Sequence, residues 1–158
     1  MPGTPATAAL TAAGIAFSEH TYEHDPANRN FGLEAAEALG LEPEQVFKTL
    51  LAEVDGVGLT VAIVPVTGHL DLGALAKAAG GKRAAMADPA IAQRRTGYVL
   101  GGISPIGQRT AHPTVLDETA ELFDTVYVSG GRRGFDLGLT PEALVQATGA
   151  TIAAIAKD

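Results

Sequence analysis

The chain has 158 residues, 46% of them apolar, which is enough sequence for one hydrophobic core and leaves little room for two; residues 1–158 read as a single domain. It contains no cysteine, so disulfides, thiolate metal sites and a protein thiol nucleophile are excluded. A formal charge of −7 argues against tight, autonomous binding to nucleic acid, because phosphate neutralisation supplies most of that affinity.

The N-terminal Met1–Ala6 stretch has neither a basic region nor a long apolar run, and the best apolar stretch, Leu59–Val66, is far shorter than a bilayer span. The expectation is a soluble, cytoplasmic protein with no membrane association. Its 29 alanines and eight aromatic residues predict a core of Ala, Val, Leu and Ile. The first helix is expected over 5–13, where Thr4-Pro5 supplies a capping oxygen and a proline at the first helical position, and Gly14 ends it. A strand over Ile15–Tyr22 follows and stops before Asp25-Pro26. A helix over 31–39 ends at Gly40, and two strands, Val46–Val54 and Val57–Val66, meet at Asp55-Gly56, which predicts an antiparallel hairpin. Asp71 caps a helix over 71–79 that ends at Gly80; Asp88-Pro89 opens another over 89–95, ending at Gly97. Short strands over Tyr98–Leu100, Thr114–Asp117 and Thr125–Ser129 precede a last helix over 141–148, opened by Thr140-Pro141 and closed by Gly149. With no repeat or linker, the pattern predicts a mixed α/β fold: a curved or barrel-like mixed sheet, partly antiparallel, flanked by helices.

Four segments carry candidate chemistry. His20-Thr21-Tyr22-Glu23-His24 matches a zinc-protease spacing, but that spacing needs a helix, and on a strand the two rings stand about 13 Å apart. Lys48 shares its strand parity with Val46, Leu50, Ala52 and Val54, a face that reads as buried. An ammonium there needs an anionic partner, a ligand or a lowered pKa, unless the side chain snorkels to water. Gly101-Gly102-Ile103-Ser104-Pro105-Ile106-Gly107 lacks the Lys-Ser/Thr of a nucleotide-binding loop and the glycine of a serine elbow. It reads either as a tight turn or as a loop whose amides can approach an oxyanion or phosphate. Ser129-Gly130-Gly131-Arg132-Arg133-Gly134-Phe135-Asp136 is a second glycine-rich segment, either a hairpin with charged tips or part of the same pocket rim. In the second reading Arg132 and Arg133 meet phosphate and Asp136 accepts a hydrogen bond from an ammonium or hydroxyl. No metal or organic cofactor is indicated. Lys82, Arg83, Arg94, Arg95, Arg109, Arg132 and Arg133 all fall in the second half, where folding could gather them on one face.

Taken together, the 21–27 segment, Val46-Phe47-Lys48-Thr49-Leu50, Met86-Ala87-Asp88-Pro89, Thr96-Gly97-Tyr98 and the two glycine-rich segments resemble the YbaK/EbsC family of the aminoacyl-tRNA editing-domain superfamily, from about residue 5 to the C-terminus. The resemblance implies a YbaK-like fold and an enzyme that acts in trans on mischarged tRNA, principally cysteine esterified to tRNA(Pro), recruited through the tRNA acceptor end and prolyl-tRNA synthetase. It matches Lys48 to the family's essential lysine, Tyr22 to its pocket tyrosine and Asp136 to its functional aspartate. Gly101 and Gly102 match its aminoacyl-pocket loop, with Ile103, Ser104, Ser129, Gly130, Gly131 and Arg132 as further substrate-binding positions. The family chemistry uses the substrate's own thiol; attack by water in the same pocket is the variant. A deacylase for another small amino acid, such as Ala on tRNA(Pro), and a non-catalytic binder of aminoacyl-tRNA or synthetase remain alternatives, and the oligomeric state is open.

Overall fold

A computed structural model describes residues 3–158; the first two residues of the Met1–Ala6 stretch lie outside them. In chain order the elements are α1 (Pro5–Ala13), β1 (Ser18–Thr21), α2 (Phe31–Leu39), β2 (Phe47–Val54), β3 (Gly58–Pro65), β4 (His69–Leu70), α3 (Leu72–Ala79), β5 (Ala84–Met86) and α4 (Pro89–Thr96). They continue with β6 (Thr114–Asp117), β7 (Val126–Arg132), β8 (Phe135–Leu139), α5 (Pro141–Thr148), β9 (Thr151–Ala153) and β10 (Ala156–Lys157), with short 3-10 turns at Pro43–Gln45 and Glu118–Leu122. The expected caps are all in place: Thr4, Asp71, Asp88 and Thr140 each accept a first-turn amide, and the glycine after each of the five helices is left-handed.

The expected mixed, partly antiparallel sheet is divided in three. A five-stranded sheet runs β5-β2-β3-β6-β9, with the β2–β3 and β2–β5 pairs antiparallel and the β3–β6 and β6–β9 pairs parallel. A three-stranded antiparallel sheet runs β1-β8-β7, and β4 pairs with β10. A parallel bridge between Val46 and Tyr127 links the start of β2 to β7. Alternation along β2 and β3 sorts the core: Phe47, Leu51, Val61 and Ile63 face the three-stranded sheet, α1 and α5, while Ala52, Val54, Ala62 and Val64 face α3. Both faces of β3 are therefore dry, which is why its sequence is an unbroken apolar run rather than an alternating one.

Four expectations change. Val54 pairs with Gly58, so Asp55-Gly56-Val57 is a three-residue turn rather than a two-residue one. The first strand is confined to Ser18–Thr21, since only that part pairs with β8. Tyr98–Leu100 is irregular: the Tyr98 hydroxyl donates to the Ile106 carbonyl at 2.6 Å, and Gly102 N–H turns back onto the Val99 carbonyl. The strand expected over Thr125–Ser129 runs on through a bulge to Arg132 and turns at Arg133-Gly134 into Phe135 and Asp136 of β8, the hairpin with charged tips.

Candidate active site

A cleft of about 660 Å³ opens where the start of β2, the N-terminal end of α2, the loop after Tyr98 and the three-stranded sheet meet. Gly32 makes the meeting possible, because a Cβ there would fall 2.2 Å from a Val66 methyl group; glycine lets α2 lie directly on the chain leaving β3. Phe31 is thereby brought to the cleft wall, with Arg29 at its edge. Lys48 lies opposite Val64 in the sheet and keeps the parity of Leu50, Ala52 and Val54. It is half-buried rather than sealed, and lines the cleft. Its ammonium has no hydrogen bond or ion pair among the described residues, and burial alone pushes its pKa below the ordinary lysine value.

Asp136 lines the same cleft from β8, in register with Ser129 on β7 and His20 on β1. It is 6% exposed, and burial pushes its carboxyl up to about 7. Lys48 therefore does not neutralise it: the two groups face one cavity without pairing. Tyr22 stands near Asp136, and burial first, then the Asp136 charge, push its phenol up to about 12 despite a nearby Gly134 amide. At neutral pH Tyr22 is a hydrogen-bonding hydroxyl, neither a base nor a nucleophile.

The two glycine-rich segments touch each other. A Cβ on Gly102 would fall 2.7 Å from the Arg132 Cα, so only glycine allows the 98–107 loop to pack on β7. Gly101, Ile103 and Ser129 line the cleft; Gly102, Ser104, Gly130, Gly131 and Arg132 do not. The Gly102 amide is engaged with Val99, whereas the Gly101 and Ile103 amides carry no hydrogen bond among the described residues. Ser104 is fully buried, its hydroxyl accepting from the Ile106 amide at 3.2 Å. Gly130 lies against the Phe135 ring, Gly131 against Tyr98, and the Arg132 guanidinium stacks 4.3 Å from the Phe135 ring centroid. Gly131 and Arg132 instead line a second, more open concavity that shares Tyr22 with the cleft.

His20 and His24 serve separate partners: His20 Nε2 is 2.7 Å from Ser18 Oγ, with its ring edge-on to Tyr127, and His24 Nδ1 donates to Glu34 Oε1 at 2.6 Å. The other Glu34 oxygen accepts the Asp25 amide at 2.8 Å, so one carboxylate pins the 22–30 segment, with Tyr22 and Arg29, onto α2. Sequence reasoning passed over Thr49, Phe31 and Arg29. Thr49 lines the cleft although its parity opposes that of Lys48, because the cleft wraps the end of β2; its buried hydroxyl has no partner among the described residues.

Residues 31–147 match the family model described as the aminoacyl-tRNA editing domain. EbsC of Enterococcus faecalis, named as a candidate Cys-tRNA(Pro)/Cys-tRNA(Cys) deacylase, is 41% identical over 120 residues, covering 76% of this chain and 73% of that protein. A solved structure described as a candidate trans-editing enzyme for prolyl-tRNA synthetase is 29% identical and superposes over 100% of both chains with a TM-score of 0.83. Another, described only as a hypothetical protein, is 25% identical and superposes over 98% of this chain and 100% of its own, with a TM-score of 0.86.

Proposed function

Because the chain belongs to the aminoacyl-tRNA editing domain family, we propose that it is a trans-acting deacylase that cleaves the ester of cysteine misattached to tRNA(Pro), working in the cytoplasm with prolyl-tRNA synthetase. The observation that carries the reading is the pair of opposite, partly or fully desolvated and unpaired charges, Lys48 and Asp136, facing one cavity. A buried charge without a partner is costly, and an aminoacyl ester answers both groups: its α-ammonium suits Asp136, and its ribose hydroxyl and ester oxygens suit Lys48. The Tyr22 and Thr49 hydroxyls are neutral groups that orient the amino acid.

The ester is already activated, so positioning and charge stabilisation can supply most of the acceleration. Neither histidine nor cysteine lines the cleft, and Ser129 Oγ accepts the Gly131 amide at 3.2 Å, with no base hydrogen-bonded to it. That leaves water and the substrate thiol as nucleophiles, and the family resemblance favours the thiol, which attacks its own carbonyl carbon. The developing oxyanion faces the unengaged Gly101 and Ile103 amides, the carbon–oxygen ester bond breaks, and the terminal ribose hydroxyl leaves with the thiol proton while cysteine departs as a thiolactone. Lys48 holds the leaving oxygen as its charge grows.

Lys48→Ala is expected to lower deacylation of cysteinyl-tRNA(Pro) by at least 10³-fold with unfolding unchanged in urea, in line with loss of a principal electrostatic contact. Retained activity removes Lys48 from the mechanism. Seryl-tRNA(Pro), an oxygen isostere, is expected to react far more slowly than the cysteinyl ester in the same assay; equal rates point to attack by water, and preference for the alanyl ester to the related specificity.

A further inference from the structure

We propose that Arg133 is a phosphate clamp at the mouth of the cleft, holding the phosphodiester that joins the terminal nucleotide of the substrate to the rest of its strand; this rests on the deacylase reading above. A cavity of about 660 Å³ is of the size that encloses one drug-sized ligand, so an aminoacylated nucleoside fills it and the first phosphodiester falls at the rim. Arg133 is exposed at that rim, yet held from two sides by cleft-lining residues: its Nε donates to the Leu100 carbonyl at 2.8 Å, and its guanidinium lies 5.0 Å from the Phe31 ring centroid. Two such contacts remove most of the rotamer freedom that a surface arginine loses when it binds.

What the two contacts leave unused is the terminal fork. The Arg133 terminal nitrogens have no hydrogen-bond acceptor among the described residues, and no carboxylate stands within ion-pair distance. Glu34, the first-turn acid of the neighbouring helix, is committed to His24 and the Asp25 amide and does not compete. A planar fork with fixed orientation and no counter-charge matches two oxygens of a phosphate. Arg133 also lines a second, more open concavity of about 600 Å³ that shares Tyr22 with the cleft, so the guanidinium stands at the junction a strand crosses on leaving the terminal site. Arg29 lines the cleft nearby, exposed and likewise without an ion pair, and adds a second positive charge at the mouth.

The test compares cysteinyl-tRNA(Pro) with the cysteine ester of adenosine, which keeps the scissile bond and lacks the phosphodiester. Arg133→Ala is expected to lower the ratio of kcat/KM for the tRNA to that for the adenosine ester at least tenfold, mainly through KM. On the tRNA it flattens the log–log salt dependence of kcat/KM by about 0.7, the contribution of one contact to a single strand. Arg133→Lys keeps the salt slope while recovering only part of the ratio. Equal loss on both substrates makes the side chain a mere support for the Leu100 loop and overturns the proposal, as does an unchanged salt slope. If the wild-type protein cleaves neither ester, it is the deacylase reading that fails, and the clamp falls with it.

Discussion

Asp136 is a residue whose cost to the fold fits its proposed use. A carboxyl with a folded pKa of about 7 and an ordinary aspartate value when unfolded binds its proton more tightly in the folded state. Its destabilising effect is therefore absent below the ordinary aspartate pKa, grows as pH rises through the interval between the two values, and is complete above about 7. Asp136→Asn removes the ionisation, so urea unfolding at pH 8 is expected to find the variant more stable than wild type by on the order of 4 kcal/mol, with the difference vanishing near pH 4. The same ionisation is what an α-ammonium needs: wild-type kcat/KM rises with pH through about 7, and the Asn variant is slow and lacks that rise. A variant no more stable at pH 8 than at pH 4 would mean that water reaches the carboxyl and the penalty is absent. Lys48 was legible from strand parity alone, whereas Asp136 was marked only by its place just past the glycines and by the family resemblance, because Phe135–Leu139 holds two residues of low strand preference, Asp136 and Gly138, and its register with β1 is set by partners far away in the chain.

The helices of this chain are written in their ends and the strands are not. Each helix start carries a capping side chain and each end a glycine, local chemistry that needs no tertiary context, so all five were legible to within about a residue. The Ala84–Met86, Thr151–Ala153 and Ala156–Lys157 strands are two or three residues long and exist only because a neighbour offers hydrogen bonds, so no periodicity announces them. The Tyr98–Leu100 misreading has the opposite cause: strand-like side chains are held in a loop by the Tyr98–Ile106 bond. The cleft depends on an equally non-local device, the Glu34 carboxylate that joins the 22–30 segment to α2. Glu34 is 8% exposed, so Glu34→Ala leaves the Asp25 amide and the His24 ring without their partner. Urea denaturation is expected to show a loss of about 1–3 kcal/mol, with Glu34→Gln less damaging because its remaining carbonyl can still accept one bond. Deacylation by Glu34→Gln suffers mainly in KM, as Tyr22 and Arg29 lose their fixed place. A kcat loss at unchanged KM would instead assign Glu34 to the chemistry.

At the scale of the molecule, the forces that hold the fold and the charges proposed to meet the substrate are different sets. The net charge is −7, yet, Arg132 set aside, the acid–base side-chain contact among the described residues is that of His24 with Glu34. Setting Arg132 aside, no lysine or arginine among the described residues lies within ion-pair distance of a carboxylate. Cohesion comes instead from two apolar layers on the faces of the five-stranded sheet, and salt does little to weaken apolar burial. Added salt screens the repulsion among excess acidic groups, whereas the exposed cations near the cleft lose their attraction for a polyanion. Raising NaCl from about 0.05 to 0.5 M is thus expected to leave the thermal midpoint unchanged or higher while kcat/KM on tRNA falls steeply. Measured on one preparation, the two curves must diverge. A midpoint that drops in parallel with activity would mean that cation–carboxylate pairs support the fold after all, and that the positive groups at the cleft mouth are not held in reserve for the substrate.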